Sequence, residues 1–308
     1  MQFEYKSQPL RQNWDKELPK YWFDNSPYKT HFFNAVSILI PQAENVVIHA
    51  IKANRLLLTD PALKAQTAEM IAQENWHSFS HRQYNTWLDK VGVPATEMGK
   101  WYLQKMLASK KWLENLVGPK GWLTVVICGE HNAAVMMEYF LERPKLLAQM
   151  HPHFRQAWVW HFLEEIEHKG SALDMWHDLK DVYGYKRHML QIAFALFVVR
   201  FKINHTKMVI RLLRHDKQLW KWKTFKDAAS FLWGMDGLNV KTFIPLLKFF
   251  KPNFHPWDHD TRYLLEQYSK ITEEEQLNDT QVQQIDAEFK GCISDIEAVI
   301  AANNVKTY

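Results

Sequence analysis

The stretch Trp160–Gly170, WHFLEEIEHKG, decides how the rest of the sequence is read. It places Glu165 and His168 three residues apart in a segment with the apolar spacing of a helix. Residues at i and i+3 project from one helical face, so a carboxylate and an imidazole can converge there on one ion. The same pair recurs upstream in Ala72–His81, AQENWHSFSH, as Glu74 and His77. Each pair alone is weak evidence, because a solvated charged face produces it too.

Two lone glutamates tip the balance. Glu44, in ILIPQAENVVIHAI, has Ile40, Val47, Ile48 and Ile51 as its helical neighbours. Glu130, in LTVVICGEHNAAVMM, has Val126, Ile127, Ala133, Ala134 and Met137 on its face. A carboxylate on an apolar stripe is costly to bury unless something compensates it. The full order is Glu44, Glu74-x-x-His77, Glu130, Glu165-x-x-His168. One glutamate from each of two helices and a Glu-x-x-His from each of two others make the dinuclear carboxylate set of a four-helix bundle. The expected ligands and catalytic residues are therefore Glu44, Glu74, His77, Glu130, Glu165 and His168. Four carboxylates and two imidazoles suit two iron ions, with Mn/Fe and Mn/Mn pairs as alternatives. His81, seven residues after Glu74, and His161, seven before His168, share the ligand-bearing faces. Each is either a further ligand or a hydrogen-bonding partner of one.

The ordered motif resembles that of the ferritin-like di-iron superfamily. More closely, IPQAE, QENWHSFSH with RQYN after it, GEH, WHFLEEIEHK and then FHPWDHD resemble a bacterial family described as predicted metal-dependent hydrolases. The resemblance implies a ferritin-like bundle and, by the family's description, hydrolysis. It also implies that the residue before each motif glutamate, Gln73 or Glu164, holds a ligand histidine across the bundle, a role Glu164 fits better.

The helix-borne set favours an O2-activating oxidase or oxygenase acting on a small, hydrophobic, lipid-like substrate and supplied by an external electron donor. A hydrolase using a metal-bound hydroxide is the alternative, and a non-catalytic iron-binding ferroxidase a second. The chain carries no phosphate-cradling glycine loop and no GxSxG elbow. His255 and His259 in FHPWDHD are spaced as HxxxH, but Pro256 between them argues for capping or packing instead of zinc binding.

Organisation follows from the punctuation. Helices are expected over Lys29–Leu58, Pro61–Lys90, Ala95–Val117, Gly121–Glu142 and Pro152–Tyr183, stopped by Asp60-Pro61, Gly92 with Pro94, Gly118-Pro119, Pro144 and Gly184. The expected class is all-α, a ferritin-like four-helix bundle with additional helices. Its parts are an N-terminal arm (1–26), the di-metal bundle (27–184) and a C-terminal helical extension packed on it (185–308). With 47% hydrophobic residues and 10 glycines among 308 residues, disordered, collagen-like and sheet-rich classes are excluded. Two cysteines make no disulfide framework, so a cytoplasmic location is expected.

Net charge is only +4, yet residues 189–251 hold 12 Lys/Arg against 3 Asp/Glu. No nucleic-acid-binding motif accompanies them, so no nucleic-acid partner is expected. The basic residues alternate with Phe, Trp, Ile and Leu. Two outcomes are open: peripheral contact at the inner face of a membrane, or packing on the bundle or in a homodimer with the lysines solvated.

Overall fold

A computed structural model describes residues 9–184, 187–268 and 277–302, with the side chains of 105–119, 296 and 299–302 outside the description. The chain is an all-α bundle, and no strand is present among the described residues. Its helices are α1 (Pro27–Arg55), α2 (Pro61–Lys90), α3 (Ala95–Leu141), α4 (Pro144–Leu147), α5 (Pro152–His168), α6 (Ser171–Asp178), α7 (Lys180–Tyr183), α8 (Arg187–His215), α9 (Trp222–Trp233), α10 (Leu238–Leu247), α11 (Arg262–Tyr268) and α12 (Asp279–Ala302). None is long and apolar enough to cross a membrane among the described residues.

The helix starts obey local chemistry. Ser26 caps α1 by accepting from the Lys29 amide, and Asp60 caps α2 by accepting from Ala62 and Leu63. Each is followed by a proline at the first helical position, where a missing N–H costs nothing.

Two expected boundaries differ. Gly118-Pro119 does not end a helix, since α3 runs unbroken for 47 residues. A proline deletes one backbone hydrogen bond, and the burial of the downstream half of α3 at Leu123, Val126, Ile127 and Leu141 offsets that loss. The segment expected as one helix over Pro152–Tyr183 is instead split at Lys169-Gly170 and again at Leu179 into α5, α6 and α7.

The split at Lys169-Gly170 has a tertiary cause. Lys169 is buried, and its ammonium donates to Glu138 Oε1 (2.7 Å), the His259 carbonyl (2.9 Å) and Thr261 Oγ1 (2.8 Å). Its charge also lies over the Trp257 ring, 4.4 Å from the centroid. The FHPWDHD loop thus closes over the end of α5. His255 accepts from the Trp257 amide and caps the short 3-10 turn Pro256–Asp258, while His259 Nδ1 meets Glu138 Oε2 at 3.1 Å. These two histidines therefore serve capping and packing.

Hydrophobic burial falls into two clusters. One is aromatic and gathers Trp22, Phe33, Tyr84, Phe154 and Trp158; the N-terminal segment feeds it, with Trp22 stacked on Phe154 at 4.6 Å and Trp14 on Tyr84 at 5.0 Å. The other is mainly aliphatic and includes Ile51, Met70, Val126, Ile127 and Leu173. The ligand-bearing turns of α1, α2, α3 and α5 lie where the two meet.

A methyl group at Gly170 would come within 2.8 Å of Trp257 Cδ1 and 3.0 Å of His255 Cε1. Gly170→Ala is therefore expected to push the loop off the bundle and destabilise the fold by about 1–3 kcal/mol. A lowered urea midpoint checks this; an unchanged midpoint would show that the loop yields without cost.

Candidate metal centre

The centre is built by four helices that meet with their polar turns inward. α1 brings Glu44, α2 brings Glu74 and His77, α3 brings Glu130, and α5 brings His161, Glu164, Glu165 and His168. All of these side chains are buried, and Glu74 and His77 have no exposed surface at all.

Two overlapping groups of ligand atoms emerge. Glu44, His77, His161 and Glu165 form one, and Glu74, His77, Glu165 and His168 form the other, each with one atom per residue lying within 4.8 Å of the rest. His77 Nδ1 stands 3.5 Å from Glu74 Oε2, 3.5 Å from Glu165 Oε1 and 4.0 Å from Glu44 Oε1. His161 Nε2 is 3.5 Å from Glu165 Oε1, and His168 Nε2 is 3.6 Å from Glu74 Oε1.

Five of the six expected ligand residues thus converge, and His161 joins them. Glu130 stands outside both groups. Its Oε2 instead accepts from His168 Nδ1 at 3.0 Å, which leaves the opposite ring nitrogen facing Glu74. His77 has the mirror arrangement, with Nε2 lying 3.0 Å from Glu164 Oε2, too poorly aligned for a good hydrogen bond, and Nδ1 facing inward. A carboxylate behind each imidazole orients it and raises its basicity toward a metal.

Gln73 does not play the corresponding part for His168. Its amide donates to Glu167 at 2.7 Å, because it leaves α2 one position before Glu74 and so points away from the inward face. His81 also stays out of both groups. Its Nδ1 is 2.9 Å from Ser37 Oγ, and its ring lies 5.0 Å from that of His161. His131 sits elsewhere, packed among Phe194, Phe249 and Phe254.

A feature not anticipated from the motifs lies beside Glu44. Pro41, inside α1, lacks the N–H that would bond the Ser37 carbonyl. Asn85 of α2 supplies the donor instead, at 3.1 Å, and its Oδ1 accepts from Ser37 Oγ at 3.0 Å. The kink-prone turn before Glu44 is therefore pinned to α2. Pro41 followed by a buried glutamate was the only signal of this in the sequence.

Burial pushes the Glu44, Glu74 and Glu165 carboxyls well above the usual range, and the neighbouring carboxylates push them further. Burial likewise holds His77, His81 and His161 well below the usual imidazole range. Burial opposes charge on His168 as well, but Glu130 beside it prevails and brings it up to about 9. The cluster is thus an assembly of acids crowded together in a buried layer.

A bound cation fits this assembly. Both Glu74 oxygens, both His77 nitrogens, His161 Nδ1 and His168 Nε2 are buried with no aligned hydrogen-bond partner among the described residues. Such orphaned atoms are rare in a folded core unless an ion satisfies them. Carboxylate oxygens with imidazole nitrogens are a donor set for a divalent metal. The protein has a His/Glu metal-binding site.

Proton uptake gives this site a pH signature. Above the ordinary imidazole value of 6.5, the lowered histidines are neutral in both folded and unfolded chains. His168 still holds a proton that unfolding releases, and the upward shift of the glutamates acts in the same direction, so the folded state binds more of them. Stability of the metal-free protein is therefore expected to fall as pH rises from about 6.5 toward 9. A divalent metal replaces those protons and should reverse the trend. Thermal unfolding with and without chelator checks this; a metal-free midpoint that climbs over that window would contradict it.

A search of curated proteins and one of solved structures found no match to the chain. The model of one family, described as predicted metal-dependent hydrolase, matches residues 7–260, a span that holds every residue of the two groups and the FHPWDHD loop. With that match over most of its length, the chain belongs to the predicted metal-dependent hydrolase family.

Proposed function

We propose that the protein is a hydrolase that works through a two-metal centre held by Glu44, Glu74, His77, His161, Glu165 and His168. The observation that carries this reading is the pair of overlapping ligand groups with His77 and Glu165 in common. A shared carboxylate is the natural bridge between two cations, and membership of the family supports hydrolysis as the reaction. Divalent ions bound there would acidify a coordinated water and polarise a substrate oxygen.

The chain's own residues set the conditions for that chemistry. Glu130 holds the His168 Nδ1 proton, so that Nε2 is the nitrogen offered to the metal. Glu164 stands behind His77, with Oε2 3.0 Å from Nε2 but without an aligned hydrogen bond. The apolar clusters on either side exclude bulk water, which strengthens every charge interaction inside.

A second reading is oxygen activation at an iron or manganese pair. It is favoured by a donor set of three carboxylates and three imidazoles borne on helices α1, α2 and α5, which suits those metals. The two are separated by one preparation reconstituted with iron or manganese. Hydrolysis of a panel of ester and phosphoester substrates that survives without air and is lost to chelator supports the first. Oxygen consumption by the reduced iron form, with no hydrolysis, supports the second.

The ligand assignment has its own test. Glu165→Ala and His161→Phe are expected to bind well below the parent's content of about two ions per chain. His81→Phe should retain the parent's content. Metal analysis of the purified proteins reads this directly. Full occupancy in Glu165→Ala would remove the proposed bridge.

A further inference from the structure

Helix α8 is apolar on two sides, and only one side is used. Leu190, Phe194, Met208 and Leu212 face inward and are buried, whereas Met189, Ile192, Leu196, Val199 and Ile203 form a second stripe that faces out. Spacings of three and four residues keep that stripe on a single face. Leu196 is 68% exposed.

The next two helices repeat the pattern. α9 turns Phe231 into the core and leaves Trp222 71% exposed, with Phe225 and Trp233 also outside. α10 buries Leu238 and Leu246 and exposes Phe243, Ile244 and Leu247. Both ends of the α10 segment are tied to α8: Lys202 Nζ bonds Asn239 Oδ1 at 2.8 Å, and Gln191 Nε2 bonds the carbonyl of Phe250, in the 3-10 turn that follows α10, at 2.6 Å. Of the 20 large hydrophobic side chains exposed among the described residues, 16 lie between Met189 and Phe250. That concentration is not the scatter of single apolar residues found on any protein surface.

Charge selects the occupant. Residues 189–251 carry 12 Lys/Arg and 3 Asp/Glu. Two of the three acids are turned away: Asp216 is engaged by Lys20, Tyr21 and His31, and Asp227 by Ser26. The third, Asp236, is paired with Lys241. Lys207, Lys217, Lys221 and Lys226 are exposed around the apolar residues. A twofold dimer through this face would bring the same basic patch against itself. An anionic bilayer surface answers both features, with acyl chains for the aromatic and aliphatic stripes and headgroups for the lysines.

We propose that the outer face of α8, α9 and α10 is a docking surface for anionic lipid bilayers, binding by shallow insertion. α8 lies against α3 beside Glu130, where Phe197 comes within 3.8 Å of the Cβ position at Gly129. The lipid-facing helix therefore backs onto a helix of the metal centre. The proposal does not rest on the hydrolase reading.

The test is flotation of the full-length protein with phosphatidylcholine vesicles made with and without phosphatidylglycerol, at low and high ionic strength, alongside molar-mass measurement in solution. Binding is expected to anionic vesicles at low ionic strength and to drop by about tenfold or more on neutral vesicles or in high salt. Leu196→Glu with Trp222→Glu should abolish it while leaving helical content and metal content unchanged, since both side chains lie at the surface. No binding to anionic vesicles at low ionic strength overturns the proposal. Binding that the double variant leaves intact overturns it too. A stable dimer that Leu196→Glu dissociates, without vesicle binding, assigns the face to a second copy of the chain.

Discussion

Taking a carboxylate out of water costs several kcal/mol unless a positive charge or hydrogen-bond donors replace the lost hydration. This protein does so with Glu44, Glu74, Glu130 and Glu165 in one layer of the bundle. Three of them answer by holding protons well beyond the ordinary range. The layer is tolerable only with cations, bound as metals or carried as protons. The packing of α1, α2, α3 and α5 can be understood as the scaffold that keeps these acids together against their repulsion.

The scaffold works through partners behind the inward-facing atoms. Glu130 and Glu164 sit behind His168 and His77, and Asn85 holds the turn that precedes Glu44. The aromatic cluster at one end and the aliphatic cluster at the other flank the polar layer and keep its side chains buried. Geometry at His168 is set from behind by the Glu130 hydrogen bond to Nδ1, which fixes the nitrogen that faces the centre.

Much of this was legible in the residues themselves. The i, i+3 spacing of Glu74–His77 and Glu165–His168 and the glutamates on apolar stripes carry local information, and helical geometry converts it directly into a shared face. Asp60-Pro61 reads as a helix start for the same local reason. What escaped was tertiary. Gly118-Pro119 looks like a terminator, yet α3 continues through it. Gln73 resembles a partner for His168 but finds Glu167 across the helix pair. His161 and His81 have equal claims by spacing, and only the Ser37 contact sends His81 away from the centre. For α8 the sequence shows two apolar faces and no means of telling which one packs.

The grip on Lys169 has a consequence in time. This residue directly follows His168, and the carbonyl of His259 that receives its ammonium lies 90 residues further along the chain. A growing polypeptide has already synthesised every metal-facing side chain when it reaches His168, but the loop that anchors the end of α5 is still to be made. Contacts of such long sequence separation form late, after the intervening helices have docked. The end of α5 therefore gains its anchor only once His259 and Thr261 have been made and folded back onto Lys169.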